Sequence, residues 1–141
     1  MANSLYPIFK TSLGTAAANV SLNVNDATDG PFVALLDTGV YTFNVAHDFF
    51  NDLSGIVGTD QRIINPTFGT VSQGTFDGDN VTFTAVSGNS VEALGFYRHN
   101  AGANTTWRLF LYLDTGQTGL PVTPNGGNIT ITWDAAGIFT L

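Results

Sequence analysis

The sequence predicts an all-β protein, an antiparallel β-sandwich or jelly-roll-like barrel of about seven to nine strands with a short N-terminal helix. Three observations predict it. Among 141 residues, nineteen Thr and thirteen Asn outnumber every charged type, and sixteen residues are Gly. Thr favours pleated strands, whereas Asn and Gly favour turns. Apolar and polar side chains alternate over several short stretches, the pattern of strands with one wet face. Between these stretches lie clusters of Asp, Asn, Gly, Ser and Pro, the punctuation of hairpins.

The elements follow in chain order. Leu5 to Ala16 is the candidate helix, interrupted early by Pro7. In Asn19 to Asn25 the apolar Val20, Leu22 and Val24 share one face, so a half-buried strand is expected there. Phe32 to Leu36, Val91 to Tyr97 and Trp107 to Leu113 carry apolar groups on both faces. Strands covered on both sides read this way, which places these three at the centre of a sheet. A turn or two of helix is expected near Asp48 to Leu53, with Asp48 as the cap. Val81, Phe83 and Ala85 alternate with Thr, as do Ile129, Ile131 and Trp133. Turns are expected at Asp26 to Gly30, Asp77 to Asn80, Ser87 to Ser90, Asn100 to Asn104 and Pro124 to Asn128. Gly and Pro are scattered and charge is not blocked, so residues 1–141 read as a single β-sandwich domain.

Charge narrows the partners. The net charge is -7, and the basic residues are Lys10, Arg62, Arg98 and Arg108, widely spaced. Affinity for nucleic acid rests largely on Lys and Arg against phosphate, so neither nucleic acid nor an anionic membrane is expected as a partner. The longest apolar runs, Phe32 to Leu36 and Leu109 to Leu113, are far shorter than the roughly 20 residues of a membrane span. The first residues show no basic stretch followed by an apolar one, and no signal peptide is expected. With no cysteine in the chain, thiol catalysis, Fe–S clusters and cysteine zinc sites are excluded, and synthesis in a reducing cytoplasm fits.

Catalytic chemistry finds little support. Leu-Asp-Thr-Gly occurs twice, at Leu36 to Gly39 and Leu113 to Gly116. Asp-Thr-Gly after an apolar strand is an aspartic-protease signature in which Asp37 and Asp114 would share a proton. The residues that follow, Val40 and Gln117, do not continue the signature, and the better reading is a turn that ends a central strand. His47 and His99 lack a third ligand at metal spacing, and His47 is expected to be solvated or to cap. Glu92, the only Glu, would require Arg98 or Arg108 as partner if buried. Asp26, Asp29, Asp77 and Asp79 suit calcium by chemistry, but their spacing is that of ordinary turns. No catalytic residue, cofactor or metal is assigned, and a non-enzymatic protein is expected. Trp107 and Trp133 are expected in the core, beside Leu109 and Ile131. Phe49 and Phe50, being adjacent, cannot easily share one core, and with Leu5, Tyr6 and Phe9 they are the candidate partner contacts.

The stretches Asp29 to Leu53 (DGPFVALLDTGVYTFNVAHDFFNDL), Val81 to Leu94 (VTFTAVSGNSVEAL) and Gly119 to Asp134 (GLPVTPNGGNITITWD) together resemble a family of short virion proteins of tailed bacteriophages, cyanophages included. The resemblance covers most of the chain in the same order. Residues between Gly55 and Phe76 depart from the family pattern, and no contact is carried over there. The resemblance implies a capsid decoration, or cement, protein on the outer surface of the head. Such a protein is made in the host cytoplasm, binds the major capsid protein and bridges capsomers as a dimer or trimer. The alternative it leaves open is a tail or fibre module that recognises a host surface glycan.

Overall fold

A computed structural model describes residues 3–141. Among these residues the regular structure is mostly β. Ten strands run in the order β1 (Ser4–Leu5), β2 (Gly30–Leu36), β3 (Ile56–Arg62), β4 (Thr67–Phe68), β5 (Thr75–Asp77), β6 (Val81–Phe83), β7 (Ala93–His99), β8 (Arg108–Leu113), β9 (Ile129–Ile131) and β10 (Phe139–Thr140). One helix, α1 (Pro7–Gly14), lies between β1 and β2, with Pro7 in its first turn, where a missing N–H costs nothing. Single 3-10 turns cover Phe50–Asp52 and Asn104–Thr106. The count exceeds the expected seven to nine because β1, β4 and β10 are two-residue strands that composition does not reveal.

A five-stranded antiparallel sheet in the order β1-β8-β7-β2-β3 forms one layer. The three doubly apolar segments become β2, β7 and β8, and they occupy its centre as expected. Their pairing puts Val33, Phe96 and Leu111 on one face, and Phe32, Tyr97 and Leu109 on the other. Between Leu111 and Leu109 the register shifts, which leaves Phe110 as an extra residue. The bulge re-aims this ring toward the first face. There it meets Phe9 at 5.6 Å, Phe96 at 5.7 Å, Phe76 at 5.9 Å and Phe139 at 6.1 Å. Phe76 and Phe139 belong to the sheet β10-β5-β4, and Trp133, following the β6-β9 ribbon, packs on Phe96 at 5.7 Å. Two small sheets therefore cover this face and complete the sandwich.

The second face is covered by chain without strands. Leu53 packs over Gly95, where a Cβ would come within 3.2 Å of it. Tyr41 and Phe43 lie on Tyr112 at 6.2 and 5.5 Å, and Phe50 lies on Tyr97 at 4.5 Å. Three hydroxyl and ring groups fasten this cover. The Tyr6 and Tyr41 hydroxyls are 2.7 Å apart, and Tyr41 Oη lies 2.9 Å from His47 Nδ1. His47 is therefore half-buried, with its ring bonded to Tyr41 and not to a capping position. The capping role near residue 50 also falls elsewhere: the Asp52 carboxylate, not Asp48, accepts the Asp48 and Phe49 N–H groups at 3.0 and 3.2 Å.

Asn19 to Asn25 corrects a second expectation. Leu22 is buried, with Val20 and Val24 half-buried, so the alternation reads burial correctly. No strand forms there, because the segment is held by a side chain in place of a ladder. Buried Arg98 on β7 donates through Nε to the Ser21 carbonyl and through Nη1 to Asp29 and the His99 carbonyl. Ala85, expected to continue β6, instead takes a left-handed φ of 50° that ends the strand. The turn chemistry is largely as read: Asp26, Asn100 and Asn125 each accept the N–H two residues ahead.

Phe110 is the test of this account, since it joins helix, central sheet and covering sheet. Phe110→Ala is expected to lower the unfolding free energy by about 3–5 kcal/mol, measured by urea denaturation. A loss under about 1 kcal/mol, the scale of a surface change, contradicts it.

Candidate functional site: a cleft between repeated turns and an apolar groove

The repeated Asp-Thr-Gly segments end β2 and β8, and the pairing Leu36 to Ala93 and Leu94 to Leu113 places both at the same end of the sheet. The start of β7 lies between them. Two inter-strand spacings separate the turns, about 10 Å, too far for Asp37 and Asp114 to share a proton. Asp37 is fully engaged in its turn: one oxygen accepts the Gly39 N–H at 2.7 Å and the other the Asn89 amide at 2.9 Å. Asn3 braces the second turn by accepting the N–H groups of Asp114 and Thr115.

Glu92 sits between the turns, just before β7. Its Oε2 accepts both the backbone N–H of Thr38 at 3.0 Å and the Thr38 hydroxyl at 3.2 Å. Glu92 is only half-buried, so the condition for an Arg partner is not met: Arg98 is bound to the Asn19 to Asp29 side and Arg108 reaches Ser12 of α1 at 2.8 Å. The two turns and Glu92 wall a cleft of about 410 Å³. Tyr41, Phe43 and Tyr112 also line it, with Thr42, Asp114, Thr115 and Pro121. Burial, followed by the charge on Asp114, the neighbouring Tyr41 and the charge on Glu92, pushes the Tyr112 hydroxyl above its usual pKa.

The expected partner contacts divide. Tyr6 and Phe9 are buried, which corrects their assignment to an interface: Tyr6 joins the hydroxyl chain to Tyr41, and Phe9 packs on Phe110. Leu5, Phe49 and Phe50 are half-buried. Phe49 lies beneath the Arg108 guanidinium at 5.2 Å, and Phe50 packs with tilted rings against both Tyr97 and Trp107. Trp133 is in the core, whereas Trp107 is half-buried against Tyr97 and His99.

An apolar groove of about 250 Å³ lies beside α1, where Phe9, Leu13, Val20, Leu22, Phe68 and Leu141 meet. Phe68 and Leu141 are 38% and 58% exposed. This surface is not legible in the sequence, because its residues come from four separate segments. The nearest signal was Phe68 itself, an aromatic in a stretch of Thr, Gly and Ser.

Among the described residues, no group of three or more His, Asp or Glu stands close enough to hold a metal ion, and no helix is long and apolar enough to cross a membrane. The acidic turn residues have other partners: Asp29 pairs with Arg98, and Asp79 accepts the Asn65 amide at 2.8 Å. Neither a protein-family model nor a curated protein matches the chain.

One carboxyl gives a pH test of the packing. Asp60 on β3 accepts the Tyr97 hydroxyl at 2.8 Å, and burial pushes its pKa up against the pull of that bond. A raised folded-state pKa means that its contribution to stability is complete below the unfolded-state pKa of about 3.9 and is lost as pH rises through the folded value. Asp60→Asn keeps an acceptor for Tyr97 without the charge. Its melting temperature is expected to exceed that of the parent at pH 7, with the difference shrinking toward pH 4. A difference that does not change with pH contradicts this.

Proposed function

We propose that the protein is a structural component of a tailed-phage virion, a decoration or cement protein. It binds the major capsid protein on the outer surface of the head and stabilises contacts between capsomers. The observation that carries this reading is the apolar groove, with exposed Phe68 and Leu141 along it. Apolar side chains gathered in one concave place mark a contact surface more than scattered ones do. The virion-protein resemblance of the flanking segments supplies the partner. Binding to the assembled shell and not to unfolded chain would stabilise the shell by mass action, with no chemistry required. Net acidity suits a position outside a shell whose contents are anionic. Copies on a lattice are expected to group as dimers or trimers that follow its symmetry.

A second reading, a tail or fibre module for a host glycan, is favoured by the hydroxyl-lined cleft. It calls for an exposed Trp or Tyr as a stacking platform. Among the described residues all four Tyr are buried, as is Trp133, and Trp107 is packed against Tyr97, so the cement reading is preferred.

The double variant Phe68→Ser, Leu141→Ser changes two exposed side chains, and because Phe68 also meets the Phe76 and Phe139 rings at 6.3 Å, its fold is checked by melting temperature first. On purified capsids its occupancy is expected to fall at least about tenfold, the effect of losing about 1.4 kcal/mol of contact. Unchanged occupancy, or a virion reconstruction that places the chain only at the tail, overturns the proposal.

A further inference from the structure

The cleft between the repeated turns has a chemistry that the apolar groove does not share, and no residue lines both. Three groups define what it can take. Tyr112 is only 2% exposed, yet its hydroxyl makes no hydrogen bond to another of the described residues. A phenol so placed normally finds a partner. Every other Tyr of the chain does so: Tyr6 and Tyr41 bond one another, and Tyr97 donates to Asp60. Glu92 is half-buried, and both hydrogen bonds that it accepts fall on Oε2. A carboxylate offers about four acceptor positions, so Oε1 is left to a ligand. Phe43, half-buried and 5.5 Å from Tyr112, adds an aromatic ring.

The charge of the lining selects the ligand. Among the described residues no Lys, Arg or His lines the cleft, and the charged side chains on its wall are Glu92 and Asp114. An uncharged sugar would satisfy hydroxyls but leave Glu92 without a counter-charge in a partly desolvated site. A cation supplies one. Between the two protein cations, an ammonium is a compact and strongly hydrated point charge. A guanidinium is planar and weakly hydrated, donates in several directions and stacks on aromatic rings. Acceptors spread around the cleft at Glu92 Oε1, Tyr112 Oη and the Thr42 and Thr115 hydroxyls, with a ring alongside, match the second. We propose that this cleft binds the guanidinium of an arginine side chain presented by a partner protein, between Glu92 and Tyr112. The site does not depend on the capsid assignment, since any partner with an exposed arginine could fill it.

The experiment is an NMR titration of the full chain, following the backbone amides of Thr38 and Thr115, with N-acetyl-arginine methylamide as the probe. The citrulline analogue, nearly the same shape without the charge, and methyl glucoside are the comparisons. Saturable shifts are expected with the arginine probe, weakening as salt is raised. The citrulline probe is expected to bind about tenfold more weakly or worse, the scale of a lost charged hydrogen bond. Glu92→Gln is expected to lose a similar factor. Tyr112→Phe, which removes a hydroxyl with no partner among the described residues, is expected to keep its melting temperature and weaken the probe about threefold or more. No saturable shift with arginine, equal binding of citrulline, or full affinity in folded Tyr112→Phe each overturns the proposal. Saturation by the glucoside without arginine binding also overturns it, and assigns the cleft to sugars.

Discussion

The structure depends on covering a central sheet that is apolar on both faces. One face is covered by other strands, whose backbone groups pair among themselves. The other is covered by residues 37–54, which have no strand and must satisfy their backbone one contact at a time. Asp37 N–H donates to Gly55, Val40 and Tyr41 N–H to the Asp37 carbonyl, and Phe50 N–H to Trp107. Asp52 takes two further N–H groups, and the Tyr6–Tyr41–His47 chain ties the cover to the N-terminal segment. Because the cover is irregular it can leave a recess, and the cleft lies where this segment meets the ends of β2 and β8.

Periodicity told which residues are buried better than it told how their backbone is paired. The double-faced runs gave the three central strands because a central strand needs nothing but apolar groups on both sides. Val20, Leu22 and Val24 alternate as a strand would, but Arg98 holds that segment from across the sequence, and no local pattern announces such a tether. Tyr6 and Phe9 looked available for contact only because they lie near one end of the sequence. The surface that the sequence did not show is the groove, since Leu13, Leu22, Phe68 and Leu141 become neighbours only after the small sheet has docked.

The repeated Asp-Thr-Gly shows how one motif can be misread and still be informative. As an acid-base pair it fails on distance. As a turn it is correct, and the repeat matters because antiparallel pairing brings both copies to the same end of the sheet on either side of Glu92. Thr38 in the first copy then positions the carboxylate, and Thr115 in the second faces the same recess. The repetition thus produces two walls of one cleft.

The two-residue strands β1, β4 and β10 lie at sheet margins, and so does β3, whose pairing with β2 is broken by a register shift and which carries Asp60 and Arg62. Margins this short or irregular offer a neighbouring copy too few aligned N–H and C=O groups to extend the sheet. Chains crowded side by side would therefore meet through side chains and remain separate molecules, without zipping into a fibre.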